Sequence, residues 1–272
     1  MSELGRRASE IRELYEGEGI RLHSQSGMAE LINGAMELAS NSGPHGTEGN
    51  IYLGLHLDRV YKAVVPLKQH PNRSEYLKKL RAGNLRFLNR TPSKARDCLF
   101  ELEIWRSIND LRKNAGSLSE PDVVLDLPSL KIGIACKKIY STHNVEKTLS
   151  NAVKQIRSNC QGFGVVAFSI EDIFPEGKAV GAKTFDGASD FLSRQCQNFL
   201  AEHEKLFIKY FKGSDIVGAL AVASSIVETT QERLRYSNMQ QWFLWSAPEL
   251  NKNAQISVIH FRNLLGKNAS EK

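Results

Sequence analysis

The sequence predicts an α/β protein whose mixed central sheet is flanked by helices and preceded by a helical region. Two observations lead to this prediction. Up to about residue 90 the apolar residues recur only with helical spacing, and after it the order is helix–strand–strand–helix–strand–helix–strand. A chain of 272 residues has room for one large domain or two small ones. We therefore divide it into a helical region, 1–90, and an α/β domain, 91–272.

Composition is that of an ordinary soluble globular protein, with 41% hydrophobic and 24% charged residues. The four cysteines form no C-x-x-C pair and no zinc-type cluster, which favours reduced thiols and a cytoplasmic location. The first ten residues lack the apolar stretch of a secretory signal. The longest apolar run, 216–227, is interrupted by a glycine and two serines and is too short to span a bilayer. We expect no membrane partner.

The helical region contains four helical patterns, separated by turn-forming residues. The run 41–46, N-S-G-P-H-G, is the clearest break. Helices are predicted at about 3–16, 28–38, 50–65 and 74–88, the third limited by Pro66.

Basic residues are concentrated at the end of the helical region. Between His56 and Arg90 there are nine Lys and Arg residues but only two acids. Such a concentration favours a polyanionic partner through counterion release, although a solvated basic helix face is the alternative. The predicted nucleic-acid-binding residues are Arg73, Lys78, Lys79, Arg81 and Arg86, with Lys138 from the sheet.

The α/β domain alternates between helical and strand-like patterns. Ser93 is a suitable cap for its first helix. Helices are predicted at about 93–111, 144–158 and 188–211, and strands at about 122–127, 130–140, 162–170, 216–224 and 240–246. The segment 256–265 fits either a helix or a strand. The first two strands form a hairpin with a tight turn at 127–129.

The hairpin is predicted to bring an acid and a lysine together. Side chains alternate between the two faces of a strand, so Ala135 and Lys137 share one face of the second strand. Asp122 opens the first strand and can meet Lys137 there. Glu101 and Glu103 lie about 200° apart around the preceding helix, so only one of them can face this point.

These residues resemble the PD-(D/E)xK nuclease superfamily, which includes many restriction endonucleases. The resemblance covers about 95–170, a little over a quarter of the chain, and its motifs are short. It implies a restriction-endonuclease-like fold and a Mg²⁺ or Mn²⁺ cofactor. It also implies site residues: Asp122 and Glu101 as metal ligands, Lys137 as the catalytic lysine, and Gln155 as the supporting glutamine of the following helix.

Ala135 departs from the pattern, because the resemblance requires an acid or glutamine two residues before the lysine. Alanine can neither ligate Mg²⁺ nor accept a proton. Losing even an outer-shell partner of a metal site costs roughly 10–100-fold in activity, so we expect weak or no hydrolysis. Asp126 lies about 13 Å along the strand from Asp122 and is a poor substitute. Natural degeneration and a deliberate Glu→Ala change both explain Ala135.

Three functions follow from these observations. The first is a Mg²⁺-dependent nuclease acting on DNA, weakened by Ala135, with RNA and a homodimer left open. The second is a non-catalytic pseudonuclease that binds nucleic acid. The third is a protein-interaction module of a defence system, in which the sheet is only a core.

Overall fold

The computed structural model describes residues 2–40, 48–85, 91–127, 130–160, 162–174 and 179–266. The helices are α1 Glu3–Gly17, α2 Gly27–Ser40, α3 Glu48–Val64, α4 Arg73–Arg81, α5 Lys94–Leu111, α6 Val145–Asn159, α7 Phe185–Glu202, α8 Glu204–Phe211 and α9 Lys252–Gly266. The strands are β1 Gly116–Ser119, β2 Asp122–Leu127, β3 Leu130–Lys138, β4 Phe163–Ser169, β5 Val180–Ala182, β6 Ile216–Thr229 and β7 Tyr236–Ser246. The predicted α/β class, with a helical N-terminal region, is confirmed.

The strands form one open, mixed seven-stranded sheet. β1, β2 and β3 are antiparallel neighbours, whereas β3, β4 and β6 run parallel. The long β6 pairs with β4 over its first part, with β5 near its end, and with the antiparallel β7 along most of its length. Parallel pairing of β3 with β4 requires a crossover, and α6 supplies it.

Helices cover both faces of the sheet. The N-terminal helices, α5 and α9 pack in one hydrophobic cluster, and α6, α7 and α8 pack in the other. β3 contributes to both, because Ile132 and Ile134 face the first cluster and Ala135 faces the second. Leu80 of the helical region and Leu102 of the α/β domain share the first cluster, so the core is continuous across residue 90.

The structure differs from the predicted elements in several places. Helix α4 ends at Arg81, whereas the prediction extended it to about residue 88, of which 86–88 lie outside the described residues. Strands β6 and β7 are longer than predicted, since β6 continues to Thr229 and β7 begins at Tyr236. The predicted helix 188–211 is two helices, α7 and α8, that meet at the buried His203. The ambiguous segment 256–265 lies in helix α9. Neither β5 nor the short, polar β1 was predicted. In β1, Gly116 is held by Trp105 and Asn109 through hydrogen bonds of 3.0 Å. Pro128 and Ser129 of the predicted hairpin turn lie outside the described residues.

Within the described ranges, no helix combines the length and hydropathy that crossing a bilayer requires.

Candidate functional site

Asp122 lies where β2 begins and β3 continues past it. The last pair of the β2–β3 ladder joins Val123 to Ile134, and beyond it β3 remains paired only with β4. The Cys136 N–H therefore projects from an edge that β2 no longer covers. It donates to Asp122 Oδ2 at 2.7 Å, which fixes one carboxylate oxygen against the backbone of β3.

Lys137 and Gln155 complete a closed triangle with Asp122. Lys137 Nζ donates to Asp122 Oδ2 at 3.2 Å and to Gln155 Oε1 at 2.7 Å. Gln155 Nε2 donates to Asp122 Oδ1 at 2.8 Å and also to the carbonyl of Pro121. The predicted convergence of the aspartate and the lysine is thus confirmed, and α6 adds the glutamine. The chemical roles of the three residues stay predictions.

Glu101 is the helix glutamate on the side of this cluster. Burial, together with the negative charge of Asp122, raises its pKa to about 7, while the cations Lys79 and Lys137 act in the opposite direction. Glu103 points elsewhere, because its Oε2 accepts a hydrogen bond of 2.9 Å from Arg59 Nη2. Glu103 is thus excluded from this cluster, and the assignment of Glu101 to the site stays a prediction.

Asp97 was missed by the sequence analysis. It lies one helical turn before Glu101, on the same side of α5. The Tyr140 hydroxyl donates to Asp97 Oδ1 at 2.9 Å. Burial raises the pKa of Asp97, while Tyr140 and the ammonium groups of Lys138 and Lys137 oppose the rise. The i, i+4 spacing of the two acids was the available sequence signal.

Ala135 is fully buried and packs in the cluster formed with α6. Val123 pairs with Ile134, so one further pair in the same register sets Ala135 opposite Asp122. Residues opposite each other on paired strands point to the same face of the sheet. A longer side chain at position 135 would therefore begin beside the Asp122 carboxylate and underneath α6.

The residues that could hold a metal here are Asp122 and Glu101. Across the described ranges, no group of three His, Cys, Asp or Glu residues is arranged to hold a metal ion. Ala135 occupies the position from which a further carboxylate would lie beside Asp122.

Most of the predicted basic cluster on α4 already has partners. Arg73 forms an ion pair with Glu18, and Lys79 forms one with Glu75 at 2.8 Å. Arg81 donates a hydrogen bond of 3.3 Å to the carbonyl of Arg21. Lys78 is exposed, with no ion pair in the part of the chain that the structure describes. Arg86 lies outside the described residues.

Lys138 requires a correction. Its side chain is buried, and its ammonium lies 3.1 Å from Asp172 Oδ2 and 3.2 Å from Ser169 Oγ and also contacts Glu171. An ammonium that is buried and neutralised in this way is not available to a phosphate. The reason is the alternation of β3, which directs Lys137 toward α6 and Lys138 to the opposite side.

Lys138 belongs to a buried ionic network that joins distant segments. Its members are the cations Arg59, Arg96 and Lys138 and the anions Glu103, Glu171 and Asp172. They come from α3, α5, β3 and the 3-10 turn Glu171–Ile173 after β4. Three cations balance three anions here, so the buried network carries no net charge.

No protein-family model matches the chain, and a search of curated proteins finds no match.

Proposed function

We propose that the protein is a DNA-binding member of the PD-(D/E)xK nuclease type, with a restriction-endonuclease-like fold. Its hydrolysis of phosphodiester bonds, with Mg²⁺ or Mn²⁺, is weak because of Ala135. The observation that carries the proposal is the hydrogen-bonded triangle of Asp122, Lys137 and Gln155, with Glu101 electrostatically coupled to it.

The order of elements supports this proposal. The helix α5 carries Glu101, Asp122 opens β2, Lys137 lies near the end of β3, and Gln155 lies on the next helix. This is the order that the resemblance requires: a helix glutamate, a hairpin with an aspartate and a lysine, and then a helix with a glutamine. The hairpin also lies inside a mixed sheet covered on both faces.

Two carboxylates are enough for a divalent cation. Mg²⁺ is commonly bound through only one or two carboxylates, and water and phosphate oxygens complete its octahedron. Burial and the charge of Asp122 hold the pKa of Glu101 near 7, and a cation between the two groups would relieve that repulsion. When bound, the metal would supply a polarised water and stabilise negative charge on the phosphate.

The chain's own residues would position the reacting groups. The Lys137 ammonium can orient the attacking water and neutralise charge that develops on the phosphate. Gln155 bonds both Lys137 and Asp122, so it holds them at a fixed separation. Only 22% of the Lys137 side chain and 13% of the Asp122 side chain is exposed, so water has limited access to their charges.

A second candidate function is binding of DNA without cleavage. It is favoured by the state of Asp122, whose two oxygens already accept hydrogen bonds from Cys136, Lys137 and Gln155. A carboxylate with this many donors has little capacity left for a metal. The apolar packing around Ala135 also favours this candidate.

The test compares the variants Ala135→Glu and Ala135→Gln with the parent chain on plasmid DNA in Mg²⁺ and Mn²⁺. We expect cleavage to rise at least about 10-fold with glutamate, because a metal ligand is restored beside Asp122. Glutamine has the same size but no charge, so it controls for crowding under α6. Equal cleavage by the two variants, with tight DNA binding in all three proteins, would favour the non-catalytic function.

A further inference from the structure

The exposed side of α6 carries a row of polar and basic residues. Its members are Lys147, Asn151, Lys154 and Ser158, all exposed, and we refer to them as the α6 ridge. The opposite side of the helix is apolar and buried, with Leu149, Ala152, Val153 and Ile156. The ridge therefore faces outward along most of the helix.

The α6 ridge lies next to the candidate site. At about 100° per residue, Asn151 is about 40°, Lys147 about 80° and Lys154 about 100° around the helix from Gln155. Gln155 itself points to Asp122 and Lys137. A strand of nucleic acid that reaches the site across the exposed side of α6 passes the ridge.

The α6 ridge contains two lysines and no acidic residue. The nearest acid of α6 is Glu146, which lies about 180° from Gln155 around the helix. Its Oε1 is bound by Lys209 Nζ at 2.9 Å and by the Tyr210 hydroxyl at 3.0 Å. Neither Lys147 nor Lys154 makes an ion pair within the part of the chain that the structure describes.

The lysines of the ridge are also spaced for a phosphate backbone. They are seven residues apart, which is about 10 Å along the helix axis. A DNA strand carries a phosphate about every 3.4 Å of its axis, so a strand running along α6 presents phosphates to both lysines. In contrast, three of the four described basic residues predicted on α4 already have protein partners.

We propose that the α6 ridge is the surface along which the DNA backbone lies as it approaches Asp122, Lys137 and Gln155. This inference rests on the proposed function, since it assumes that DNA is the polyanion bound at the site. It assigns the binding of phosphates to α6 rather than to the basic cluster of the helical region.

The experiment measures binding of a labelled DNA duplex by fluorescence anisotropy over a range of salt concentrations. Each phosphate contact contributes about 0.9 to the slope of log K against log salt, so Lys147→Ala/Lys154→Ala should lower the slope by about 2. At about 0.1 M salt the affinity should fall roughly 10- to 100-fold. The matched control is Lys113→Ala/Lys252→Ala, which removes two exposed lysines from outside α6.

The outcomes separate the inference from the proposed function. If the parent chain binds DNA and the α6 double variant retains its slope and affinity, the inference is overturned and the proposed function stands. The inference is also overturned if the control loses as much as the α6 variant. If the parent chain shows no salt-dependent binding, both proposals fail. Circular dichroism of each variant checks that its fold is intact.

Discussion

Glu101 changes its charge near neutral pH. Its carboxyl is partly buried on α5 and close enough to Asp122 for the two negative charges to repel each other. As a result its pKa is about 7, compared with about 4.5 in the unfolded chain. The carboxyl is neutral in the folded protein at mildly acidic pH, and it carries a negative charge only above about pH 7.

Replacing Glu101 with glutamine should therefore stabilise the protein at alkaline pH. Between about pH 4.5 and 7 the Glu101 carboxyl keeps its proton in the folded chain but loses it in the unfolded chain. The free energy of unfolding of the parent protein therefore falls as pH rises through that range. Glu101→Gln retains the neutral form, so at pH 8 it should be more stable than the parent by up to about 3 kcal/mol, at roughly 1.4 kcal/mol per pKa unit. Urea unfolding at about pH 4.5 and pH 8 measures both free energies. The same stability difference at both pH values would contradict this account.

At the residue scale, the sequence predicted local geometry better than long-range partners. The convergence of Asp122 and Lys137 followed from strand alternation, which depends only on neighbouring residues. The partner of Glu103 was not predictable, because Arg59 lies 44 residues earlier on a different helix. Lys138 was predicted to bind nucleic acid for the same reason, since its partner Asp172 lies on a distant segment of the chain.

At the scale of elements, the buried ionic network fixes the position of α3 and α5 relative to the sheet. Glu171 contacts Arg59 of α3 at 2.8 Å and Arg96 of α5 at 3.6 Å. Although burial opposes it, the positive charges of Arg59 and Lys138 hold the pKa of Glu171 well below its usual range. The stabilisation from Glu171 is therefore present above about pH 4.5 and is lost as pH falls toward its folded pKa.

Removing one cation from this network should be strongly destabilising. Lys138→Ala leaves the buried carboxylates of Glu171 and Asp172 short of a partner, and such a loss typically costs about 3–5 kcal/mol. Lys78→Ala, which removes an exposed lysine, should change stability by less than about 0.5 kcal/mol. Chemical denaturation of the two variants gives the comparison. Equal stabilities would show that the network contributes nothing at Lys138.

The elements themselves were predictable where their pattern was long and periodic. α5, α6, β2 and β4 all begin and end within two residues of the predicted bounds. β1 has the sequence G-S-L-S, which carries almost no hydrophobic pattern, and it forms because Trp105 and Asn109 bind Gly116 and because β2 pairs with it. The end of helix α7 at His203 has no glycine or proline to mark it.

At the scale of the whole molecule, the helical region and the α/β domain form a common hydrophobic core. Leu77 and Leu80 pack in the same cluster as Leu99 and Leu102. Arg59 adds a polar connection, because it binds both Glu103 and Glu171. The region before residue 90 therefore stabilises the fold that carries the site.

A fragment containing only 91–272 should not fold stably. Removing the helical region exposes the Leu99 and Leu102 side of α5 and leaves Glu103 and Glu171 without Arg59. We expect the fragment to lack the cooperative thermal transition that the full chain shows by circular dichroism. A cooperative transition of the fragment near the melting temperature of the full chain would instead show two independent domains.

The claim that Asp122 lies in a metal-dependent phosphodiester site is tested most directly by melting Ala135→Glu with and without Mg²⁺. If the new carboxylate joins Asp122 in holding the ion, Mg²⁺ at about 100 times its Kd should stabilise the folded state by about 2.7 kcal/mol. That corresponds to a rise in Tm of roughly 5–10 °C for a chain of this size. Ala135→Gln should show a much smaller rise. An equal response of the two variants to Mg²⁺ would contradict the account.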